Sequence, residues 1–429
     1  MSTPYKHFPW NSPIRVYPAQ MGTQSLGRLR VRITTAGLAP IANATVIVTS
    51  PSVPDVIREQ LTTNESGITE VIELTAPSPD YSQEPNMQQP YSEYAIQVNA
   101  PNYLPTAIQN VEIFPDITAL QETSLELEKQ NAAGSVFVIP PHTLYGDYPP
   151  KIAESEIKDT SESGEIVLNK VVIPEFVIVH DGPPTDSSAK NHYVRFRDYI
   201  KNVASSEIYA TWPESTITAN VLAILSFTLN RVYTEWYRNQ GYSFTITSST
   251  AFDHKWIPGR NIYDNIGLIV DQIFTNYLSR PNVKQPILTQ YCDGNKVQCP
   301  NWMTQWGSKN LGDQGRSAIE ILRHFYGNSI YINSATEVSG VPSSWPGSNL
   351  TIGSSGANVR TIQEQLNRIS DSYPAIAKIA VNGQYNQQTA DAVKTFQQTF
   401  DLPANGIVDL ATWYKISAIY VAVSRIAEL

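Results

Sequence analysis

"YIKNVASSEIYATWPES", residues 199–215, is the stretch on which the reading of this chain turns. Phe196, Ile200, Val203 and Glu207 fall at i, i+4, i+7 and i+11, which lines them along one face of a helix. Three of the four are apolar, so the face is one that buries, and the fourth is an acid. With only 16% of residues charged, a carboxylate on an apolar stripe has two explanations. Either Glu207 is structural, capping, paired or reaching to solvent, or its protonation is tuned for chemistry. The stretch runs on through Trp212 and Pro213 into a second pattern, with Ile217, Val221, Ile224, Thr228 and Val232 on one stripe. That pattern predicts a helix opening at Pro213, closing at Gly241 and buried on most sides. Glu214 is the rival acid, but it sits in the first turn, where negative charge suits the positive end of the helix dipole.

Outward from this centre the chain changes character. Residues 1–25 are Pro-rich and polar and read as an irregular arm. From Gly27 the pattern alternates with period two, "GRLRVRI" placing Leu29, Val31 and Ile33 on one face, and further runs follow at "NATVIVTS", "GITEVIEL", "YAIQVNA" and "NVEIF". Short strands between turn signals predict an all-β sandwich over 1–128. Residues 129–170 mix Pro pairs, charges and small residues and read as an exposed linker open to proteolysis. Residues 171–340 combine strand-like "VVIPEFVIVHDG" with the helices above, an α+β domain. After "SGVPSSWPGSN", residues 341–429 form a small helical domain, with Val359, Ile362, Leu366 and Ile369, then Val393, Phe396 and Phe400, at helical spacing. The whole is multidomain, as its 429 residues lead one to expect.

A net charge of −9 argues against a nucleic-acid partner, which calls for a basic face. No run reaches the ~18 apolar residues of a membrane span, and the N-terminus lacks the basic and apolar regions of a signal peptide. With 23 Tyr and 8 Trp the chain is rich in rings that stack on flat apolar faces, sugars among them. Cys292 and Cys299 bracket "DGNKVQ", a spacing that suits a local disulfide or a pair of metal ligands.

Three resemblances follow from these motifs. The steps Pro40–Val46 and Tyr94–Tyr103 resemble a transthyretin-like or carboxypeptidase-regulatory module, which carries no catalytic residue. "GSSGANVRTIQEQLN" with "VNGQYNQQTADAVKTFQQTFDLPANGIVDLATW" is similar to the peptidoglycan-binding domain at the ends of many cell-wall hydrolases, although Asn382, Tyr385 and Asn386 replace that family's Asp, Phe and Gly. "YIKNVASSEIYATWPESTITANVLAILSFTLNRVY" and "WMTQWGSKNLGDQGRSAIEILRHFYG" resemble the catalytic domain of stage II sporulation protein D, a lytic transglycosylase. That last resemblance places Glu207 on the family's catalytic glutamate, Gln305 on its signature glutamine and Trp306 on its aromatic. Thr304 replaces the usual Ser. His254 stands where Gln is common, so no role passes to it.

The order of domains resembles spore cortex-lytic enzymes of germinating anaerobes, stored as precursors and activated by subtilisin-like germination proteases. It implies a removable N-terminal region, a cut within 129–170, glycan strands as substrate, a spore-cortex location and no cofactor. Glycosidases ordinarily use two carboxyls. A lytic transglycosylase manages with one, because the muramyl C6 hydroxyl closes onto C1. Such an acid needs a raised pKa, which partial burial supplies. Gln305, Trp306 and Thr304 would then line the sugar cleft, or simply pack a turn. Asp253 would stabilise developing positive charge, or cap a turn, or act as a second carboxylate in a muramidase. A non-catalytic wall-binding protein that stimulates another hydrolase is the reading from a different class.

Overall fold

The computed structural model describes residues 25–51, 53–85, 88–129, 132–158 and 170–424. The arm at 1–24 therefore lies outside the described residues, as does 159–169 of the expected linker. The chain is multidomain, with mixed sheets and eight α-helices among those residues.

Eight strands come first: β1 (Ser25–Thr34), β2 (Thr45–Ser50), β3 (Val53–Thr62), β4 (Ile72–Ala76), β5 (Ser92–Asn99), β6 (Thr106–Ile113), β7 (Thr118–Ser124) and β8 (Ser135–Val138). The period-two pattern of β1 does what it predicts, since Leu29, Val31 and Ile33 are all fully buried. A tight turn leads into β4, with Asn64 Oδ1 accepting the Ser66 and Ile68 amides and Gly67 at φ +71°. One sheet has the order β3-β2-β5-β6-β8, and the other runs β7-β1-β4 with β1 and β7 parallel. The two touch through β6, and their inner residues share one core.

The middle of the chain follows, with β9 (Val172–Ile173), β10 (Phe176–His180), β11 (Asn191–Arg195), α1 (Phe196–Glu207), α2 (Glu214–Tyr233), β12 (Ile246–Thr247), β13 (Ile262–Tyr263) and α3 (Asp264–Ile273). Then come β14 (Asn276–Ser279), β15 (Tyr291–Cys292), β16 (Met303–Thr304), α4 (Gln305–Asp313), α5 (Ala318–Tyr326), β17 (Tyr331–Ser334) and β18 (Glu337–Val338). Helix α2 stops short of Gly241: Glu235 takes a left-handed φ of +47°, and Gly241 closes a later 3-10 turn instead. β13 is not self-contained. It pairs antiparallel with β7, Ile262 opposite Leu120, and so completes the β7-β1-β4 sheet.

The C-terminal helices are α6 (Ala357–Ser370), α7 (Gln387–Thr399) and α8 (Leu410–Ser424). Two buried glutamines organise their connections in the same way. Gln363 accepts from the Gly383 amide at 2.8 Å and donates to the Gln384 carbonyl at 3.0 Å. Gln397 accepts from Gly406 at 2.8 Å and donates to Ile407 at 2.9 Å. In each turn an Asn side chain, Asn382 or Asn405, accepts the amide two residues on at 2.9 Å. Asn382 thus keeps the side-chain oxygen that an Asp would supply at this turn.

The described part of the linker, residues 132–158, mixes exposed positions, Val136, Pro149, Pro150 and Ile152 among them, with buried ones, Ile139, His142, Leu144, Tyr148 and Lys158. Two acids of this strap answer buried or half-buried arginines rather than water. Glu154 takes both terminal nitrogens of Arg231, at 2.6 and 2.8 Å, and Glu156 takes Arg280 at 2.7 Å.

Candidate active site

Helix α1 ends at Glu207, and its apolar stripe (Phe196, Ile200, Val203) lies in the core with the acid fully buried beside it. The carboxylate is not orphaned. Oε1 accepts the Lys255 backbone amide at 2.6 Å, and Oε2 accepts the Tyr291 hydroxyl. Burial pushes the Glu207 pKa up, while the Lys151 ammonium, the Tyr291 hydrogen bond and the Lys255 amide pull against it. The result is an acid that resists ionisation but has donors ready for its anion.

Around it stands a shell of rings. The His254 ring lies nearly parallel to Tyr291, centroids 5.8 Å apart, and its Nδ1 meets the Tyr199 hydroxyl at 3.1 Å. Burial, and then the nearby Lys151, hold the His254 pKa well below its ordinary value, so this ring is neutral. Cys292 and Cys299 are joined as a disulfide, Cα atoms 6.0 Å apart, closing a loop whose first strand also carries Tyr291. Of the two sequence readings of this pair, the structure has the disulfide.

The residues named beside Glu207 divide. Gln305 is buried and reaches the site through the backbone, its Nε2 donating to the Glu207 carbonyl at 3.0 Å, while its Oε1 has no hydrogen-bond partner among the described residues. Thr304 is the half-buried N-cap residue of α4 and pairs with Cys292. Trp306 joins Trp212 at 5.0 Å and Tyr209 at 5.9 Å in an aromatic cluster. Asp253 is fully committed elsewhere. Its Oδ1 accepts Arg231 Nε at 2.7 Å, and its Oδ2 accepts the Tyr237 hydroxyl, the Thr247 amide and the Thr247 hydroxyl. Glu214 is exposed in the first turn of α2, away from these contacts.

Sequence reasoning missed the groups that complete the site. Tyr291 has no local signal, and Lys255 reaches Glu207 through its backbone amide. The strap passes directly by: Thr143 Oγ1 donates to the Ser206 carbonyl at 2.6 Å, and Lys296 Nζ donates to the carbonyls of Leu144 and Gly146. The N-terminal part covers the aromatic cluster, with Trp212 Nε1 donating to the Ser82 carbonyl at 2.9 Å. No group of residues suited to hold a metal occurs among the described residues.

Residues 355–416 match the family model described as a putative peptidoglycan binding domain. Peptidoglycan binding by the C-terminal helices is thereby supported. No curated protein matches the chain. Among solved structures it is similar to hydroxyquinol 1,2-dioxygenase from Pseudomonas putida DLL-E4, at 12% identity and a TM-score of 0.19, over 28% of this chain and 65% of that one. A chlorocatechol 1,2-dioxygenase from Pseudomonas putida is similar at 11% identity and a TM-score of 0.17, over 29% of this chain and 70% of that one. Likenesses at these scores carry no argument. Among the described residues no helix is long and apolar enough to cross a membrane.

Proposed function

We propose that this chain is the precursor of a peptidoglycan lytic transglycosylase that acts on spore cortex during germination. The observation that carries the proposal is Glu207, a fully buried carboxyl with donors on both oxygens, in the same chain as a peptidoglycan-binding module. Glu207 gives its proton to the glycosidic oxygen as the bond to C1 of the muramyl sugar breaks. The resulting carboxylate then takes the proton of the C6 hydroxyl as O6 bonds to C1, leaving a 1,6-anhydro end. Tyr291 and the Lys255 amide stabilise the carboxylate between the two transfers. Asp253 is a poor second carboxylate for a muramidase, since both its oxygens are occupied.

The precursor part of the proposal rests on access. Glu207 is sealed from solvent and Trp212 is buried and hydrogen-bonded to the N-terminal part, so a glycan strand does not reach the acid until something moves. A subtilisin-like protease cutting within 129–170 would release that cover, and Ala132–Val138 is one largely exposed stretch of it among the described residues. The test is digestion of purified cortex by the full chain, before and after a cut there. Anhydro-muramyl ends by mass spectrometry, absent in Glu207→Gln, are the expected result, whereas full activity of Glu207→Gln overturns it. The same closed site favours a second reading, a non-catalytic wall-binding protein that stimulates another hydrolase. Cortex retention without released sugar, before and after the cut and in both forms, would establish that instead.

A further inference from the structure

The strap that the sequence presents as a linker carries one group into the site. Lys151 Nζ donates to the Asp253 carbonyl at 2.5 Å and stands 4.7 Å from the centroid of the Tyr291 ring, the ring whose hydroxyl reaches Glu207. The Phe227 ring lies 5.9 Å away on another side. The strap is tied down just after this lysine. Ile152 donates its amide to Ala251 at 2.8 Å, and Gln290, the neighbour of Tyr291, accepts from Glu154 N at 2.9 Å and donates to Ile152 O at 2.7 Å. These partners all belong to the central residues, so Lys151 is held by the site and not by the N-terminal sheets.

We infer that Lys151 is a positioning residue for the acid, an ammonium supplied from outside the central domain that stabilises the carboxylate left when Glu207 gives up its proton. The inference rests on the transglycosylase reading of Glu207. The titratable and charged groups facing Glu207 come from four elements. Tyr199 lies on α1 itself, Tyr148 and Lys151 on the strap, His254 and Lys255 on the loop after β12, and Tyr291 on β15. The three tyrosines are held above their ordinary pKa by burial and His254 is held neutral. That leaves Lys151 and Lys255 as the cations of the shell, and it is Lys151 whose effect on Glu207 is the larger. Behind Lys151, Arg231 is balanced by Asp253 and Glu154. Burial lowers the Lys151 pKa, and the negative charges of Glu207 and Asp253 oppose that fall.

The sign follows directly. Removing the ammonium makes Glu207 a weaker acid, so proton donation to the leaving oxygen slows. The pH at which Glu207 ionises, where activity falls, moves up. The charge-preserving Lys151→Arg should do neither. The experiment uses the full chain with a protease site engineered between Ala132 and Ala133, which keeps the strap on the central domain after cutting. Lys151→Met, Lys151→Gln and Lys151→Arg are compared in two ways. Carbon-13 NMR titration of the Glu207 carboxyl, assigned by its loss in Glu207→Gln, reads the coupling without any activity. Cortex digestion after the cut reads the chemistry. Expected are an upward-shifted Glu207 titration in both neutral variants, an activity loss on the order of tenfold with the alkaline limb displaced upward, and near-normal behaviour of Lys151→Arg.

An unmoved Glu207 titration in the neutral variants overturns the inference, even where Glu207→Gln is dead. A rise in activity in Lys151→Met, cut or uncut, also overturns it, because Lys151 would then be a plug that keeps substrate out. If Glu207→Gln retains activity, the transglycosylase reading falls, and with it the role in catalysis. The NMR arm still decides separately whether Lys151 sets the protonation of Glu207.

Discussion

A carboxyl group buried at a helix end carries a cost that depends on pH, and Glu207 makes that cost measurable. Its folded-state pKa is raised, first by desolvation, so the folded chain holds this proton more tightly than the unfolded chain does. The associated stability is fully present below about 4.3, the ordinary glutamate value. It is lost as pH rises through the folded-state value. Glu207→Gln mimics the protonated form at all pH values. We expect its melting temperature to match the wild type in acid and to exceed it increasingly as pH rises; parallel curves would mean that Glu207 ionises normally. Tyr291→Phe should act in the opposite direction on stability. It strips Oε2 of its donor inside a closed site, a loss of about 1–3 kcal/mol, seen as a lower melting temperature at neutral pH that narrows in acid. That an acid sits on a buried helix face was legible from spacing, because helical periodicity is local. Tyr291 and Lys255 were not, since they are 84 and 48 residues away in sequence and meet Glu207 only through the tertiary fold.

At the level of elements, like charges set a second pH dependence. Glu93 on β5 lies directly opposite Glu112 on β6, a cross-strand pairing that repulsion makes unfavourable once both are ionised. Burial, and then the charge of Glu112, raise the Glu93 pKa to about 7. A raised carboxylate pKa again means stability that is present in acid and fades as pH climbs toward about 7. Glu93→Gln should therefore be as stable as wild type near pH 4 and more stable above pH 7, by thermal unfolding. An equal difference at both pH values would assign the effect to packing. Of the elements themselves, the period-two strands and the α1 and α6 stripes were readable, because alternation and 3.6-residue spacing survive in any sequence that buries one face. The end of α2 and the strap were not. Gly241 looks like a helix stop, yet α2 ends at Tyr233, after Arg231 has paired with Glu154 and Asp253. The strap's charges looked solvated because their counter-charges, Arg231 and Arg280, sit far along the chain.

Across the whole molecule, the docking of the N-terminal sheets onto the site runs through one buried ion pair. Arg260 Nη2 donates to Glu112 Oε2 at 2.5 Å and to the Ser205 carbonyl of α1 at 2.7 Å, two residues before Glu207. Tyr263, on the strand β13 that joins the N-terminal sheet, adds its hydroxyl to Glu112 at 3.2 Å. Both charges are fully buried, and Arg260 Nε and Nη1 have no partner among the described residues. A pair of this kind adds little net stability, but removing one member strands the other, at about 3–5 kcal/mol. Since the two members lie on opposite sides of the contact, undocking lets the stranded Arg260 reach water, and much of that penalty becomes a drive toward separation. Glu112→Gln should thus cut faster under limited proteolysis at Ala132–Val138, redden the fluorescence of the tryptophans near Ser82, and raise any cortex-lytic activity of the uncut chain. Glu112→Leu combined with Arg260→Met replaces the pair by apolar groups, and should return cutting and fluorescence toward wild type. If the single and double variants behave alike, the interface is held by the β7–β13 pairing and the aromatic contacts instead, and the ion pair is a passenger in it.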